Sequence, residues 1–128
     1  MSKEKKKILI TGASRGIGKN IALKSIEKGY IVLGTSTSEE GVQGLEKEGI
    51  HGLVLNLNDI KSIQEFNDVL IKDHSDIEIL INNAGITRDN IVLRMSVEEW
   101  MDVLNVHLTG TFKLSKVVLK FMLKKRWG

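Results

Sequence analysis

The stretch KKILITGASRGIG, Lys6 to Gly18, decides the fold. Its first half, KKILIT (6 to 11), is a short apolar run without strict polar alternation, the pattern of a parallel strand buried on both faces. Its second half, TGASRGIG (Thr11 to Gly18), sets glycines at 12, 16 and 18 where the strand gives way to a helix. Glycine permits the tight turn, lets backbone N–H groups approach a pyrophosphate, and allows helix and strand to pack closely. An ordinary glycine-rich turn has the same composition. Position at the first strand-to-helix junction favours the nucleotide reading.

Working outward, the same kind of run recurs as YIVLGT (30 to 35), HGLVLN (51 to 56) and IEILIN (77 to 82). Helical periods lie between. Ile17, Ile21, Ala22 and Ile26 share one face, with Gly29 as the stop. Ile60, Ile63, Phe66, Val69 and Leu70 make a second stripe behind the caps Asn58 and Asp59. Ser96-Val-Glu-Glu99 fits a capping box ahead of a long final helix. Strand alternating with helix predicts an α/β fold with right-handed crossovers and a parallel sheet, one domain over 1–128.

Composition narrows the function. The net charge is +3, with basic clusters at Lys3 to Lys7 and Lys124 to Arg126, but aromatics are only 5%, which argues against nucleic acid as a partner. The first cluster reads as a solvated tail and the second as cations at a helix C-terminus. There are no cysteines, and His51, His74 and His107 lack metal-ligand spacing, so no metal is expected. The apolar runs are far shorter than the ~20 residues of a membrane span, and MSKEKKK opens no signal peptide. No membrane and a cytoplasmic location are the resulting expectations.

Charge also suggests which dinucleotide. An NAD site usually has an acidic residue about 20 residues beyond the first glycine, and that carboxylate would repel a 2′-phosphate. Here the second strand ends Gly34-Thr35-Ser36-Thr37, and no carboxylate follows until Glu39. Those hydroxyls and Arg15 suit a phosphate, so NADPH is preferred over NADH. Arg15 also reads as a solvated surface side chain.

Taken together, TGASRGIG, GTSTSEEG, LNLND and NNAGITRDN (Asn82 to Asn90) resemble the short-chain dehydrogenase/reductase family. GITRDNIVLRM, EEW and LTGTF resemble its bacterial 3-oxoacyl-acyl-carrier-protein reductases. The resemblance implies the first half of a Rossmann-type doubly wound sheet, strand order 3-2-1-4, holding NADP(H). It assigns Gly12, Ala13, Ser14 and Arg15, within the turn closed by Gly16 and Gly18, to the phosphates, and sets Ile17 beside the nicotinamide ribose. It implies Thr37 at the 2′-phosphate, Asn56 and Leu57 at the adenine, Asn83 near the cofactor and Asn82 as a brace between strands. Asn56 and Asn82 read equally well as strand-end caps.

Chemistry in the family needs a serine, a Tyr-x-x-x-Lys pair and an assisting asparagine. The one tyrosine here, Tyr30, is followed four residues later by Gly34, and His107 stands at the assisting asparagine's position. His107 reads as a substitution without function or as a new acid or base. In the family KKRWG leads into a fifth strand, so the chain reads as truncated and inactive, its fourth strand left as an exposed edge. Arg126 matches a basic position that docks acyl carrier protein, and reads equally as a helix-end cation. The apolar 97–127 region predicts self-association, or pairing with a full-length relative as a non-catalytic module.

Overall fold

The computed structural model describes residues 5–85 and 92–128. Lys3 and the Ile86 to Asn90 part of NNAGITRDN lie outside them. In chain order the elements are β1 (Lys7–Ile10), α1 (Gly16–Glu27), β2 (Ile31–Ser36), α2 (Glu39–Lys47), β3 (His51–Val54), α3 (Ile60–Asp73), β4 (Ile79–Ile81), α4 (Val97–Leu104), a π-helix (Asn105–Gly110) and α5 (Thr111–Lys125).

The sheet runs β3-β2-β1-β4 and every pairing is parallel, the order expected from the sequence. Leu9 sits opposite Leu33 on one side and Leu80 on the other. Successive side chains of a strand point to opposite faces, and β1 shows why its run is continuously apolar. Leu9 joins Phe66, Leu70, Leu114 and Val118 in one core, under α3 and α5, while Ile8 and Ile10 join Ala22, Val32 and Leu45 in the other, under α1 and α2. β4, at one end of the order, has all three residues half-buried.

Each helix start has a local cause. Ser38, Asp59 and Ser96 accept hydrogen bonds from the N–H groups of Gly41, Lys61 and Glu99 and so cap α2, α3 and α4. α1 has no side-chain cap and no acidic residue in its first turn. Gly29, at φ +90°, ends α1 as expected.

Three expectations need correction. Ile17 is 72% exposed and leaves the apolar face that Ala22 holds in the core. It stands in the first turn of α1, at the carboxyl edge of the sheet. Ile60 and Val69 likewise sit outside the buried stripe of Ile63, Phe66 and Leu70. The final helix is continuous in path but not in type, because Asn105–Gly110 winds as a π-helix between two α-helical stretches. Gly110 there packs so closely on Leu57 that a Cβ would lie 3.0 Å from the Leu57 carbonyl oxygen.

The amino ends of the strands form a charged base. Lys7 pairs with Asp76 at 2.9 Å, Lys6 and Lys125 both reach Glu78, and the Lys6 ammonium sits 3.1 Å from the centre of the Trp127 ring. His74 packs edge-on to His51, centroids 5.1 Å apart, with its Nδ1 buried and lacking a hydrogen-bond partner. Burial first, then the charges of Lys7 and His51, push the His74 pKa below 6.5, against a weaker upward pull from Asp73 and Asp76. Burial opposes ionisation of Asp76, but the hydrogen bond and charge of Lys7 outweigh it and hold that carboxyl below 3.8.

Folded His74 takes up a proton less readily than the unfolded chain. Its contribution to stability is therefore complete above pH 6.5 and lost as pH falls through the lower folded value. The Asp76–Lys7 pair adds a second loss, below pH 3.8. Melting temperature should fall as pH drops below 6.5, and His74→Gln should flatten that limb. A profile identical in the two proteins would contradict the assignment.

Candidate functional site

At the carboxyl ends of β1, β2 and β4 the backbone is tied by two buried threonine hydroxyls. Thr11 Oγ1 accepts from the N–H groups of Asn83 at 3.0 Å and Ala84 at 2.9 Å. Thr35 Oγ1 accepts from Gly12 N–H at 3.0 Å, and the Thr35 carbonyl accepts from Ala13 N–H at 2.9 Å. Both threonines are 1% exposed. Asn83 completes the knot by donating from Nδ2 to the Gly12 carbonyl at 3.1 Å.

Two glycines of the turn are required by geometry. Gly12 has φ +66°, in the region that favours glycine, and its missing Cβ would stand 3.0 Å from Ala84 Cα. Gly18 lies so close to β1 that a Cβ would collide with the Gly12 carbonyl oxygen and the Asn83 amide. The glycine edge of α1 therefore packs directly on the strand turn.

Above this knot opens a cleft of about 700 Å³, lined by Gly12, Ser14, Arg15, Gly16, Ser36, Thr37, Ser38, Glu40, Gly41, Asn83, Ala84 and Gly85. Its volume is that of a small-molecule site. The uncapped start of α1, with Arg15 at its N-cap position, forms one wall. Free N–H groups and the helix dipole make such a terminus suited to an anion. β2's hydroxyl-rich end and the first turn of α2 form the other wall.

The structure brings Gly12, Ser14, Arg15, Gly16, Thr37 and Asn83 together around the cleft. Ala13 and Gly18 are buried behind it. Ile17 is exposed at the start of α1. Asn56 and Leu57 do not line the cleft. Asn56 Oδ1 accepts from Asn58 N–H at 3.0 Å in a local turn after β3. Leu57 sends its side chain into the core.

Asn82 donates to Ser115 Oγ at 3.2 Å and so ties β4 to α5, whereas Asn83 and Thr11 brace the strand ends. The imidazole of His107 occupies the space a Cβ on Gly85 would need, at the rim of the cleft, because the π-helix carries it there. Tyr30 lies just before β2 and Arg126 just after α5, both at the opposite end of the sheet. Arg126, at φ 56°, closes α5 in the left-handed conformation, its N–H donating to Leu123 O.

Thr35, grouped by the sequence with Ser36 and Thr37 as a phosphate partner, is buried and accepts from Gly12 N–H rather than lining the cleft, and the sequence carries no signal for the roles of Thr11, Ser38, Glu40, Gly41 and Gly85. Thr11 follows β1 and Thr35 lies near the end of β2, both ordinary β-formers, and nothing local marks their hydroxyls as acceptors. Glu40 and Gly41 were hidden because α2 was not foreseen. Among the described residues no group of three or more acidic or histidine side chains could hold a metal, and no helix is long and apolar enough to cross a membrane.

The family model described as short chain dehydrogenase matches residues 6–128. The chain belongs to that family. It is 46% identical over 123 residues to a 3-oxoacyl-acyl-carrier-protein reductase from Haemophilus influenzae, covering 94% of this chain and 51% of the relative. With the reductase of that name from Escherichia coli K12 the identity is 44%, covering 100% of this chain and 54% of the relative. The chain thus spans about half the length of these curated relatives. The crystal structure of a short-chain dehydrogenase from Streptomyces avermitilis superposes with a TM-score of 0.87 at 29% identity, over 100% of this chain and 48% of that one.

Two substitutions test the knot. Thr11→Val preserves shape but removes the acceptor of Ala84 N–H, and should destabilise the chain by about 1–3 kcal/mol in urea unfolding. Gly18→Ala should cost about 1–3 kcal/mol, because the added methyl drives α1 off the strand turn. Wild-type stability for both variants would contradict the close packing described.

Proposed function

We propose that this chain is the NADP(H)-binding part of a reductase that delivers hydride to a β-ketoacyl thioester on acyl carrier protein, a step of fatty acid biosynthesis in the cytoplasm. The observation that carries the reading is the cleft in which an uncapped helix start, Arg15 and the Ser36–Ser38 hydroxyls converge on glycine backbone. The two curated reductases bear that name, and the shared stretch includes the residues that build the cleft.

In this reading Gly12, Ser14, Arg15 and Gly16 hold the pyrophosphate, while Ala13 and Gly18 set the turn from behind. Thr37, with Ser36 and Ser38, receives the 2′-phosphate through hydroxyl donors. Ile17 offers its exposed apolar surface to the nicotinamide ribose. Asn83 holds the turn at Gly12 in place from the cleft floor. Asn56 and Leu57 meet the adenine, Asn56 through the second lone pair of Oδ1. Bound NADPH would supply the hydride. His107 acts as a packing group against Gly85, and exposed Arg126, beside Lys124 and Lys125, offers the acidic carrier a basic contact.

These 128 residues contain no Tyr-x-x-x-Lys, so by themselves they hold no counterpart of the family's proton donor. Loss of a general acid commonly costs a factor of about 10² to 10⁴. A second reading, a non-catalytic module that pairs through 97–127, draws on the exposed Trp100, Met101, Phe112, Leu119 and Leu123. An apolar cavity of about 330 Å³ between Leu80 and α5 adds to that surface.

Titration with NADPH should give saturable binding, with no reduction of acetoacetyl thioester at an ordinary enzymatic rate, about 1–10³ s⁻¹. Absence of binding would overturn the nucleotide reading, and turnover at that rate would overturn the claim of inactivity. Sedimentation should show concentration-dependent association through the 97–127 face, and a clean monomer at all concentrations would remove the pairing reading.

A further inference from the structure

Glu40 faces the cleft on the side of the hydroxyls that end β2. Glu39, the first carboxylate after that strand, does not: it borders the groove between α2 and α3, with Val42 and Gly52. The turn of α2 thus sets one acidic residue on the neighbouring groove and the next on the cleft. Among the described residues, Arg15 and Glu40 are the charged side chains lining the cleft, one on each wall.

Their positions differ in kind. Arg15 stands at the start of α1, whose first turn has no acidic residue. Glu40 stands in the first turn of α2, where a carboxylate offsets the positive end of the helix dipole and weakens its pull on any other anion. Gly41 holds this turn against the strand, since a Cβ there would collide with Ser36 Oγ. Glu40 is therefore kept beside Ser36, Thr37 and Ser38 rather than free to leave on a long loop.

We propose that Glu40 is a specificity-determining residue that lowers the preference of this cleft for NADPH over NADH. The inference rests on the nucleotide reading above. NADPH and NADH share a pyrophosphate and differ by the 2′-phosphate, and the Ser36–Ser38 wall is where that phosphate falls. A carboxylate on the same wall opposes the dianion and leaves NADH, whose 2′-hydroxyl is neutral, nearly untouched.

The test is equilibrium binding of NADPH and NADH to the purified chain, to Glu40→Gln and to a control of equal charge change, Glu65→Gln, on the exposed surface of α3 outside the cleft. Glu40→Gln should tighten NADPH by roughly threefold to tenfold at low salt and leave NADH unchanged, with the gain shrinking as salt screens the pair. Glu65→Gln should leave the ratio of the two affinities as it is. Equal changes for both nucleotides, or weaker NADH with unchanged NADPH, would overturn the role of Glu40 while leaving the nucleotide site standing. Failure of every protein to bind either nucleotide would overturn the site itself and this inference with it.

Discussion

The site depends on how closely the backbone of α1 approaches the backbone of the turn that feeds it. At Gly18 there is no room for a methyl group, because the Gly12 carbonyl and the Asn83 amide already fill the space. That contact sets the start of α1 directly over the end of β1. The threonine hydroxyls do the complementary work from below: Thr11 gathers the chain after β4, and Thr35 gathers the chain after β1. Three strand ends are thereby held in register by two buried hydroxyls, which leaves the N–H groups at the start of α1 to face the cleft.

The two ends of the sheet are charged in different ways. The amino end is closed by ion pairs, a cation over Trp127 and a histidine pair, all made within the chain. Among the described residues, the cleft at the carboxyl end is lined by one positive and one negative residue on facing walls, together with the hydroxyls of Ser36, Thr37 and Ser38. In open α/β sheets ligands settle outside the carboxyl ends of the strands, and here that edge is also the one with an uncapped helix. Helices α2, α3 and α4 use Ser38, Asp59 and Ser96 to satisfy their first N–H groups. The exception at α1 is where an anion would do the same.

Much of this was legible in the order of residues. Four apolar runs separated by helical periods specify a parallel sheet, and the glycines after the first run specify the turn, since both signals are local. α2 was not legible because GVQGLEK carries two glycines and only Val42 and Leu45 as an apolar face, too little for a periodicity argument. Without α2 the sequence names Glu39 as the first carboxylate after β2 but carries no sign that Glu40 is the one on the cleft. The π-helix was invisible for another reason: the composition of NVHLTG carries no signal for it, and its close contact, Gly110 on Leu57, joins residues 53 positions apart in the chain. Asn83 lines the cleft and also ties the strand ends, a second task that depends on which neighbour faces β1 and so on register.

The proposed dinucleotide would lie along the carboxyl edge of the sheet, with its phosphates at the start of α1. Amide chemical-shift mapping by NMR during addition of NADPH tests it most directly. The account predicts shifts concentrated at Gly12, Ser14, Arg15, Gly16, Thr37 and Asn83, with His51, His74 and Asp76 at the far end of the sheet unmoved. Shifts centred on that far end, or no shifts at saturating nucleotide, would contradict it.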